Sequence, residues 1–438
     1  MATRRDPMGM GLAVLNRIAS SPIVDRLKLR STTEKAVYQG AKSGFRVAGA
    51  AGRTFSRAKG SGKPTRLVRT SDTGVFDLNP TEDQEMIVGV IAEFAHEVLR
   101  PGALVAETAN DTPKEVLAQT SEFGLTLLNI PESLGGLSED RSAVTGVLVA
   151  EALAYGDMGQ AVACLAPAAV ATAISLWGSD EQQQTYLPAF SGDDIPAAAL
   201  AVAEPRPLFD PFQLETTATK TDTGYRLSGV KSAVVRGSEA EVFVVAADVD
   251  GRGPSLILLE SSTKGVSIEA DPSMGLRAAG LSRLILEDVD ISSDAILGDG
   301  SADDYRECIR LSRLAWAGLA LGTAKAVLDY VSEYVKTREA FGEPISHRQA
   351  VAFMVANIAI ELEGMRLTTL KAASRAEQGM DFAREVALAR RLTSEYGMKI
   401  GTDGVQLLGG HGFVKEHPVE RWYRDLRAVG LMEGAVLV

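Results

Sequence analysis

Apolar residues first recur at helical spacing just after residue 79, and the pattern continues to about residue 190. The first of them are Met86, Val90, Phe94 and Val98. Thr81 stands before them and acidic residues follow it, which suits the N-cap and first turn of a helix. Breaks at Pro131 and at Gly135 divide the region into several helices. The pattern predicts an N-terminal helical domain over residues 79–196.

Residues 161–177 form the most apolar part of this region. The run falls short of the roughly 18 uninterrupted apolar residues expected of a membrane span, and Pro167 interrupts it. We therefore predict a buried core helix here.

Between residues 197 and 300 the pattern changes to short β-branched runs separated by turn residues. The runs are residues 242–249, 255–259, 266–270 and 283–286. They are too short and too often interrupted for helices, so they predict a small antiparallel β-domain, either a sandwich or a barrel.

Helical periodicity returns over residues 301–438, in three long segments. These are residues 304–338, 347–377 and 382–408. Long helices with short connections predict an antiparallel bundle. The predicted fold class is therefore mostly α with a central β-domain.

The charge is distributed unevenly along the chain. Residues 1–70 contain 15 Lys or Arg and 3 Asp or Glu, a net charge of +12, whereas the whole chain carries −12, so the rest carries −24. Residues 1–78 read as a transit peptide, a basic arm at a membrane surface, or a flexible extension. Residues 71–438, with this large negative charge, are not expected to bind nucleic acid.

The few cysteines and histidines argue against disulfide and metal chemistry. Cys164 and Cys308 are far apart, and the four histidines have no ligand spacing, so neither a disulfide nor a metal site is expected. We expect a reducing compartment: the bacterial cytoplasm, at the periphery of the membrane, or alternatively the mitochondrial matrix. No P-loop and no strand-linked G-x-G-x-x-G is present, which disfavours the common nucleotide folds.

Several clusters together resemble the acyl-CoA dehydrogenase family, from about residue 78 to the C-terminus. Residues 337–349 are similar to its R-x-x-F-G-x-x-I…Q segment, residues 406–413 to its Q-x-x-G-G-x-G-F turn, and residues 418–425 to its P-V-E-R…R-D run. Residues 123–136 and 177–182 match as well. The resemblance implies a helical domain, a β-domain and a four-helix bundle, assembled as a homo- or hetero-tetramer (a dimer of dimers).

The resemblance also implies an FAD site shared with a neighbouring subunit. The residues at the matching positions are Arg338, Phe341, Gln349, Gln406, Gly409 and Gly410. An arginine supplies charge-assisted bonds to a pyrophosphate, a phenylalanine offers an aromatic face, and glycines let backbone amides approach. Taken alone, these residues read as a solvated arginine, a core phenylalanine and a capped helix end.

Glu433 is the predicted catalytic base, because Met432-Glu433-Gly434 matches the family's Y-E-G sequence. A thioester α-proton is weakly acidic, so its base needs a desolvated carboxylate with a raised pKa. Some members place this glutamate on the first bundle helix, where this chain has Ser312. Arg313 is expected to bind acyl-CoA, to organise the pocket or to form a salt bridge, and Met432 to line the acyl pocket.

Three departures from the family pattern fall close to the expected flavin ring. Ala203 stands for a threonine in T-E-P, and the glycine and serine of its G-S-D end are missing. Ala233 and Val235 stand for the tryptophan and the hydroxyl residue of W-I-T. Ala435 replaces the threonine of E-G-T, and no final helix follows.

The resemblance implies an oxidoreductase of fatty-acid metabolism that converts acyl-CoA to trans-2-enoyl-CoA and passes electrons to an electron-transfer flavoprotein. The departures leave two alternatives. One is a non-catalytic or half-site subunit of a hetero-oligomeric complex, and the other is a related flavin oxidase or monooxygenase.

Overall fold

A computed structural model describes residues 79–136, 142–192, 194–298 and 302–436. The predicted basic extension, residues 1–78, lies outside these ranges. The described part of the N-terminal domain contains six α-helices: α1 (Glu82–Phe94), α2 (Arg100–Ala109), α3 (Lys114–Glu122), α4 (Ala143–Gly156), α5 (Met158–Trp177) and α6 (Asp180–Phe190). A π-helical turn, Ala95–Leu99, joins α1 to α2.

Side-chain caps determine where these helices begin. Thr81 caps α1, as predicted, and forms a capping box with Gln84. Asp157 ends α4 and caps α5 by accepting a hydrogen bond from the backbone N–H of Gln160. Such caps satisfy backbone donors that have no partner inside the helix.

Helix α5 is long and apolar enough, by length and composition, to cross a membrane, but 72% of its most apolar stretch is buried inside the protein. This burial is that of a core helix, as the sequence predicts. The helix continues through Pro167 without a break.

Among the residues that the structure describes, seven strands form the central sheet: β1 (Ala198–Ala201), β2 (Thr217–Lys220), β3 (Tyr225–Val234), β4 (Val242–Val249), β5 (Gly253–Glu260), β6 (Val266–Ala270) and β7 (Ser282–Ile291). Their order is β1-β4-β2-β3-β7-β6, and β5 also pairs with β4. The prediction of an antiparallel domain is wrong in one respect, because β1 and β2 both run parallel to β4. Short apolar runs do not specify strand direction, which depends on how the connections cross.

The C-terminal region begins with α7 (Ala302–Thr337), a helix of 36 residues. A small hairpin, β8 (Glu339–Ala340) and β9 (Glu343–Pro344), leads into α8 (Gln349–Glu377) and α9 (Ala383–Leu408). The short α10 (Val419–Leu426) follows. The three long helices lie where the sequence predicts them.

Helix α7 also packs closely against α4 of the N-terminal domain. A Cβ atom at Gly322 would lie 2.0 Å from the backbone oxygen of Glu151, so only glycine permits this approach. Thr323 donates a hydrogen bond to the backbone oxygen of Ala154 at 3.1 Å. Residues on α7 therefore face both helical regions.

Candidate active site

Glu433 lies in a turn after α10 and is buried, with 6% of its surface exposed. Its backbone φ is +52°, a left-handed conformation that costs a non-glycine residue about 1 kcal/mol or more. The next residue, Gly434, has φ +101°, and a Cβ there would lie 2.5 Å from Cδ of Pro211. We refer to residues 432–434 as the base segment.

Burial raises the pKa of the Glu433 carboxyl, because desolvation disfavours the charged form. A hydrogen bond from the side chain of Ser312, the charges of Arg390 and Arg313, and the Trp316 side chain act in the opposite direction. Oε2 of Glu433 has no hydrogen-bond partner among the described residues. The carboxyl is thus a desolvated acid with one oxygen free.

An apolar pocket of about 180 Å³ lies between α4, α5 and α7. Its wall includes Gly146, Ala169, Ala173, Cys308 and Ser312. Because Ser312 both lines this pocket and hydrogen-bonds to the carboxyl of Glu433, the base and the pocket are neighbours. Sequence reasoning noted Ser312 only as a position without a carboxylate and did not predict this role.

Arg313 and Met432 both lie beside the base. Arg313 donates to the backbone oxygen of Glu433 from Nε at 3.2 Å and from Nη2 at 2.8 Å. Met432 is buried in the same hydrophobic cluster as Trp316 and Val235. Neither residue is part of the lining of the apolar pocket.

The hairpin segment, residues 338–349, contains three of the predicted cofactor residues and is exposed. Arg338 follows the end of α7, and its backbone oxygen accepts a hydrogen bond from the N–H of Ile345 at 2.9 Å. Phe341 has φ +58° and is 97% exposed. Gln349 begins α8 at the surface.

The glycine turn, residues 406–413, contains the other three. Gln406 lies on the last turn of α9, and Gly409 has φ +57° and ψ −130°, a conformation that essentially only glycine adopts. A Cβ at Gly410 would meet nothing within 4 Å, so packing within this chain does not require glycine there. His411 Nδ1 lies 2.9 Å from the hydroxyl of Tyr334, on the last turns of α7. The turn therefore lies near the start of the hairpin segment.

The three ring positions in the β-domain, Ala203, Ala233 and Val235, have no polar side-chain atom. The N–H of Ala233 donates to Oδ2 of Asp271 at 2.9 Å, and the backbone oxygen of Ala203 accepts from the N–H of Ser232. Only backbone groups are polar at these positions.

A buried ion pair lies beside these positions. Nζ of Lys231 is 2.9 Å from Oε1 of Glu204, and both side chains are buried. Burial lowers the pKa of Lys231 to about 8, although Glu204 opposes the shift. Burial alone would raise the pKa of Glu204, but Lys231 and two backbone N–H donors outweigh it and lower that pKa.

The P-V-E-R…R-D run lies in a buried charge network that joins the domains. Arg421 contacts Asp157 at 3.0 Å, Arg424 contacts Glu107, and the N–H of Leu276 donates to Oδ1 of Asp425 at 2.7 Å. Sequence reasoning identified the two arginines and Asp425. It missed Glu107 and Asp157, which appear in the sequence as ordinary helix residues.

Family models describe almost all of the chain after residue 80. The model for the acyl-CoA dehydrogenase N-terminal domain matches residues 81–193, that for the middle domain residues 199–289, and that for the C-terminal domain residues 303–436. The short-chain specific acyl-CoA dehydrogenase of Bos taurus mitochondria is 32% identical over 81% of this chain and 87% of its own length. The chain belongs to the acyl-CoA dehydrogenase family.

Other members of the acyl-CoA dehydrogenase family agree with this assignment. An acyl-CoA dehydrogenase of Bacillus subtilis is 28% identical over 82% of this chain and 96% of its own length. Butyryl-CoA dehydrogenase from Megasphaera elsdenii has a similar structure, with a TM-score of 0.76 and 28% identity over 83% of this chain and 97% of that one. The predicted family, fold class and enzyme class are confirmed.

Two further structures bear on the cofactor and the partner. A chain from a structure described as the electron transferring flavoprotein of Acidaminococcus fermentans is 30% identical, with a TM-score of 0.76, over 83% of this chain and 97% of that one. The FAD complex of PigA is 25% identical, with a TM-score of 0.76, over 82% of this chain and 96% of that one.

Proposed function

We propose that this chain oxidises an acyl-CoA thioester to a trans-2-enoyl-CoA, with Glu433 as the base that removes the α-proton. The observation that carries the proposal is the position of the Glu433 carboxyl, which is buried next to Ser312, a residue in the wall of an apolar pocket. A general base works best when its pKa lies near the working pH. Burial supplies this upward shift at Glu433.

The residues of the hairpin segment and the glycine turn fit FAD. Arg338 would bond the pyrophosphate and Phe341 would present an aromatic face, and both are exposed and available. Gly410 has open space where a Cβ would stand, so its backbone can be approached closely. When bound, FAD supplies an acceptor for the hydride that leaves the β-carbon. The similarity to the FAD complex of PigA supports the same cofactor.

A neighbouring subunit would cover an apolar stripe on α8, the helix that begins at the end of the hairpin segment. Phe353, Ile360 and Leu367 are exposed on α8 at intervals of seven residues, which places them along one face of the helix. Exposed apolar stripes of this kind mark interaction surfaces. We propose a dimer of dimers in which this face is buried, and an electron-transfer flavoprotein as the redox partner, which the similarity to the Acidaminococcus fermentans structure supports.

The apolar pocket would hold the acyl chain. A Cβ at Gly146 would meet nothing within 4 Å, so a larger side chain there can extend into the pocket without displacing neighbours. Gly146→Leu should lower kcat/KM for the longest accepted acyl-CoA by about 10-fold or more and leave the shortest nearly unchanged, since each lost methylene contact is worth about 1 kcal/mol. Gly89→Leu, at an exposed helical glycine with the same free space, is the matched control.

The ring positions favour a second candidate, a half-site subunit. Ala203, Ala233 and Val235 offer no side-chain hydrogen bond and no large aromatic face, so a related partner chain with those groups intact would complete the flavin site. In this case the chain would lend its hairpin segment and glycine turn to the partner.

The deciding experiment is anaerobic bleaching of the flavin by a panel of acyl-CoA thioesters. The chain is assayed alone and with candidate partners, as wild type and as Glu433→Gln. The variant should retain FAD but reduce it about 100-fold more slowly, because the general base is removed. Equal rates in both proteins would show that Glu433 is not the base. Flavin that a thioester reduces in the complex with a partner chain, but not in the chain alone, would favour the half-site subunit.

A further inference from the structure

The base segment does not hold its shape by its own backbone preferences. Glu433 is in a left-handed conformation, and Gly434 fits only because it has no Cβ. Strained backbone of this kind persists where surrounding contacts fix it. The contacts that fix it identify the residues that position the carboxyl.

Two arginines on different helices hold the three consecutive carbonyls of the base segment. Arg390, on α9, donates from Nη2 to the backbone oxygen of Met432 at 2.7 Å and also to that of Gly434. Arg313, on α7, donates to the backbone oxygen of Glu433, which lies between them. The oxygens on both sides of the base thus depend on one guanidinium group.

Arg390 is 4% exposed, and no carboxylate lies within 4 Å of it in the part of the chain that the structure describes. Its Nε and Nη1 atoms also have no hydrogen-bond partner there. A buried arginine usually has a paired anion, because an uncompensated charge is costly to bury. Burial and the charge of Arg313 lower the pKa of Arg390 to about 10, and the charge of Glu433 opposes this shift.

We propose that Arg390 is the positioning residue for Glu433: it fixes the base segment through the carbonyls on either side and places a positive charge near the carboxyl. The proposal rests on the function proposed above. Arg390 lies outside the segments that resemble the family's motifs. Arg390 is not part of the lining of the apolar pocket, and its hydrogen bonds go to the base segment.

Infrared difference spectroscopy tests the proposal directly, because it follows protonation of the Glu433 carboxyl in the protein without thioester. Glu433→Gln identifies the band. In Arg390→Gln the midpoint of that band should move to higher pH by about one unit, since a nearby positive charge has been lost. In Arg390→Lys the midpoint should stay close to its wild-type value, because the ammonium group keeps the charge and can donate to both carbonyls.

Flavin reduction at saturating thioester provides the second measurement. Arg390→Gln should lower the limiting rate per bound flavin by about 10-fold or more, with KM and FAD content little changed. The rise of this rate with pH should follow the shifted ionisation of Glu433 and lie at higher pH than in the wild type. Arg391→Gln, the exposed neighbour on α9 that pairs with Glu395, is the control and should behave as wild type.

The possible results separate the two proposals. An unchanged Glu433 titration and an unchanged rate per flavin in Arg390→Gln would overturn the role of Arg390. If Arg390→Gln does not fold, Arg390→Lys takes its place in the test. An Arg390→Lys protein in which the base segment is displaced while Glu433 titrates as in the wild type would also overturn the role of Arg390. If the titration shifts but no thioester reduces the wild-type flavin, the proposed oxidation fails while the action of Arg390 on Glu433 stands.

Discussion

The surface expected to meet the adenine half of FAD keeps the family's residues, whereas the interior expected to meet its ring has lost them. The hairpin segment and the glycine turn keep the family's polar and glycine residues, and all six predicted cofactor residues there are exposed. The ring positions have lost two hydroxyl side chains and one tryptophan, and what remains is apolar and at least half-buried. The predicted base, Glu433, is also retained.

This difference indicates how the free energy of FAD binding is divided. Charge-assisted hydrogen bonds are worth about 1.5–3 kcal/mol and neutral ones about 1 kcal/mol. A site that retains Arg338 and lacks two neutral bonds should therefore bind the cofactor mainly through its adenine half. The ring would be held by shape and by backbone groups.

Arg338→Ala should have the largest effect. The loss of charge-assisted bonds should raise the Kd for FAD by about 10- to 100-fold and weaken subunit association at the same time. Flavin content and sedimentation of the purified protein measure both. Arg384→Ala, at another exposed arginine, should change neither, and normal flavin content in Arg338→Ala would show that the adenine half lies elsewhere.

Restoring hydroxyls at the ring should have a somewhat smaller effect of the opposite sign. Ala203→Thr combined with Val235→Thr should tighten FAD binding by about 10- to 30-fold, at about 1 kcal/mol for each new bond. Without FAD the double variant should be less stable, because Val235 is buried and its new hydroxyl lacks a partner. Val234→Thr, also buried, is the control that should lose stability and gain no affinity. Unchanged affinity in the double variant would show that the ring does not approach these positions.

Phe341→Ala should weaken FAD binding by a few fold, because an aromatic contact is worth about 0.5–1.5 kcal/mol. The side chain is 97% exposed in the single chain, so its loss should leave the thermal stability of the dissociated subunit unchanged. Isothermal titration and thermal unfolding distinguish these effects. A marked fall in subunit stability would mean that Phe341 packs within its own chain.

Substitution of Asp425 tests whether the retained P-V-E-R…R-D run stabilises the fold rather than taking part in catalysis. Burial and the nearby Asp157 raise its pKa from 3.8 to about 7. Between these two pKa values the folded state keeps a proton that the unfolded state has released. The stability gained from the protonated carboxyl is therefore lost as pH rises from about 4 through 7. Asp425→Asn should flatten that decline in Tm, and the exposed Asp222→Asn should not. An unchanged pH profile in Asp425→Asn would indicate that Asp425 is ionised in the folded protein.

Most of the fold could be predicted from periodicity, because helical and strand spacings are local. The long α7, α8 and α9 and the cap at Thr81 were predicted in this way. Strand direction was not, since it depends on which strands meet after the chain crosses the sheet. The parallel pairing of β1 with β4 is the example.

The residues of the candidate site could likewise be predicted only where a local sequence pattern contains them. Glu433 could be predicted because a short motif contains it. Arg390 could not, because an arginine in a helix beside Arg391 reads as a solvated charge until the fold buries it. The role of Ser312 could not be predicted either, because its contact with Glu433 joins positions 121 residues apart in the sequence. Burial of a polar side chain is decided by distant packing, and no local pattern records it.

Exchange of the α-hydrogen of an acyl-CoA in D₂O tests the central claim, that Glu433 is a base placed at a thioester site. Mass spectrometry of the recovered thioester follows the exchange under anaerobic conditions, before any electrons reach a partner. The wild-type protein, assembled with its partner chain if one is needed, should exchange the α-hydrogen, and Glu433→Gln should do so about 100-fold more slowly at equal FAD content. Exchange at the same rate in both proteins would contradict the account.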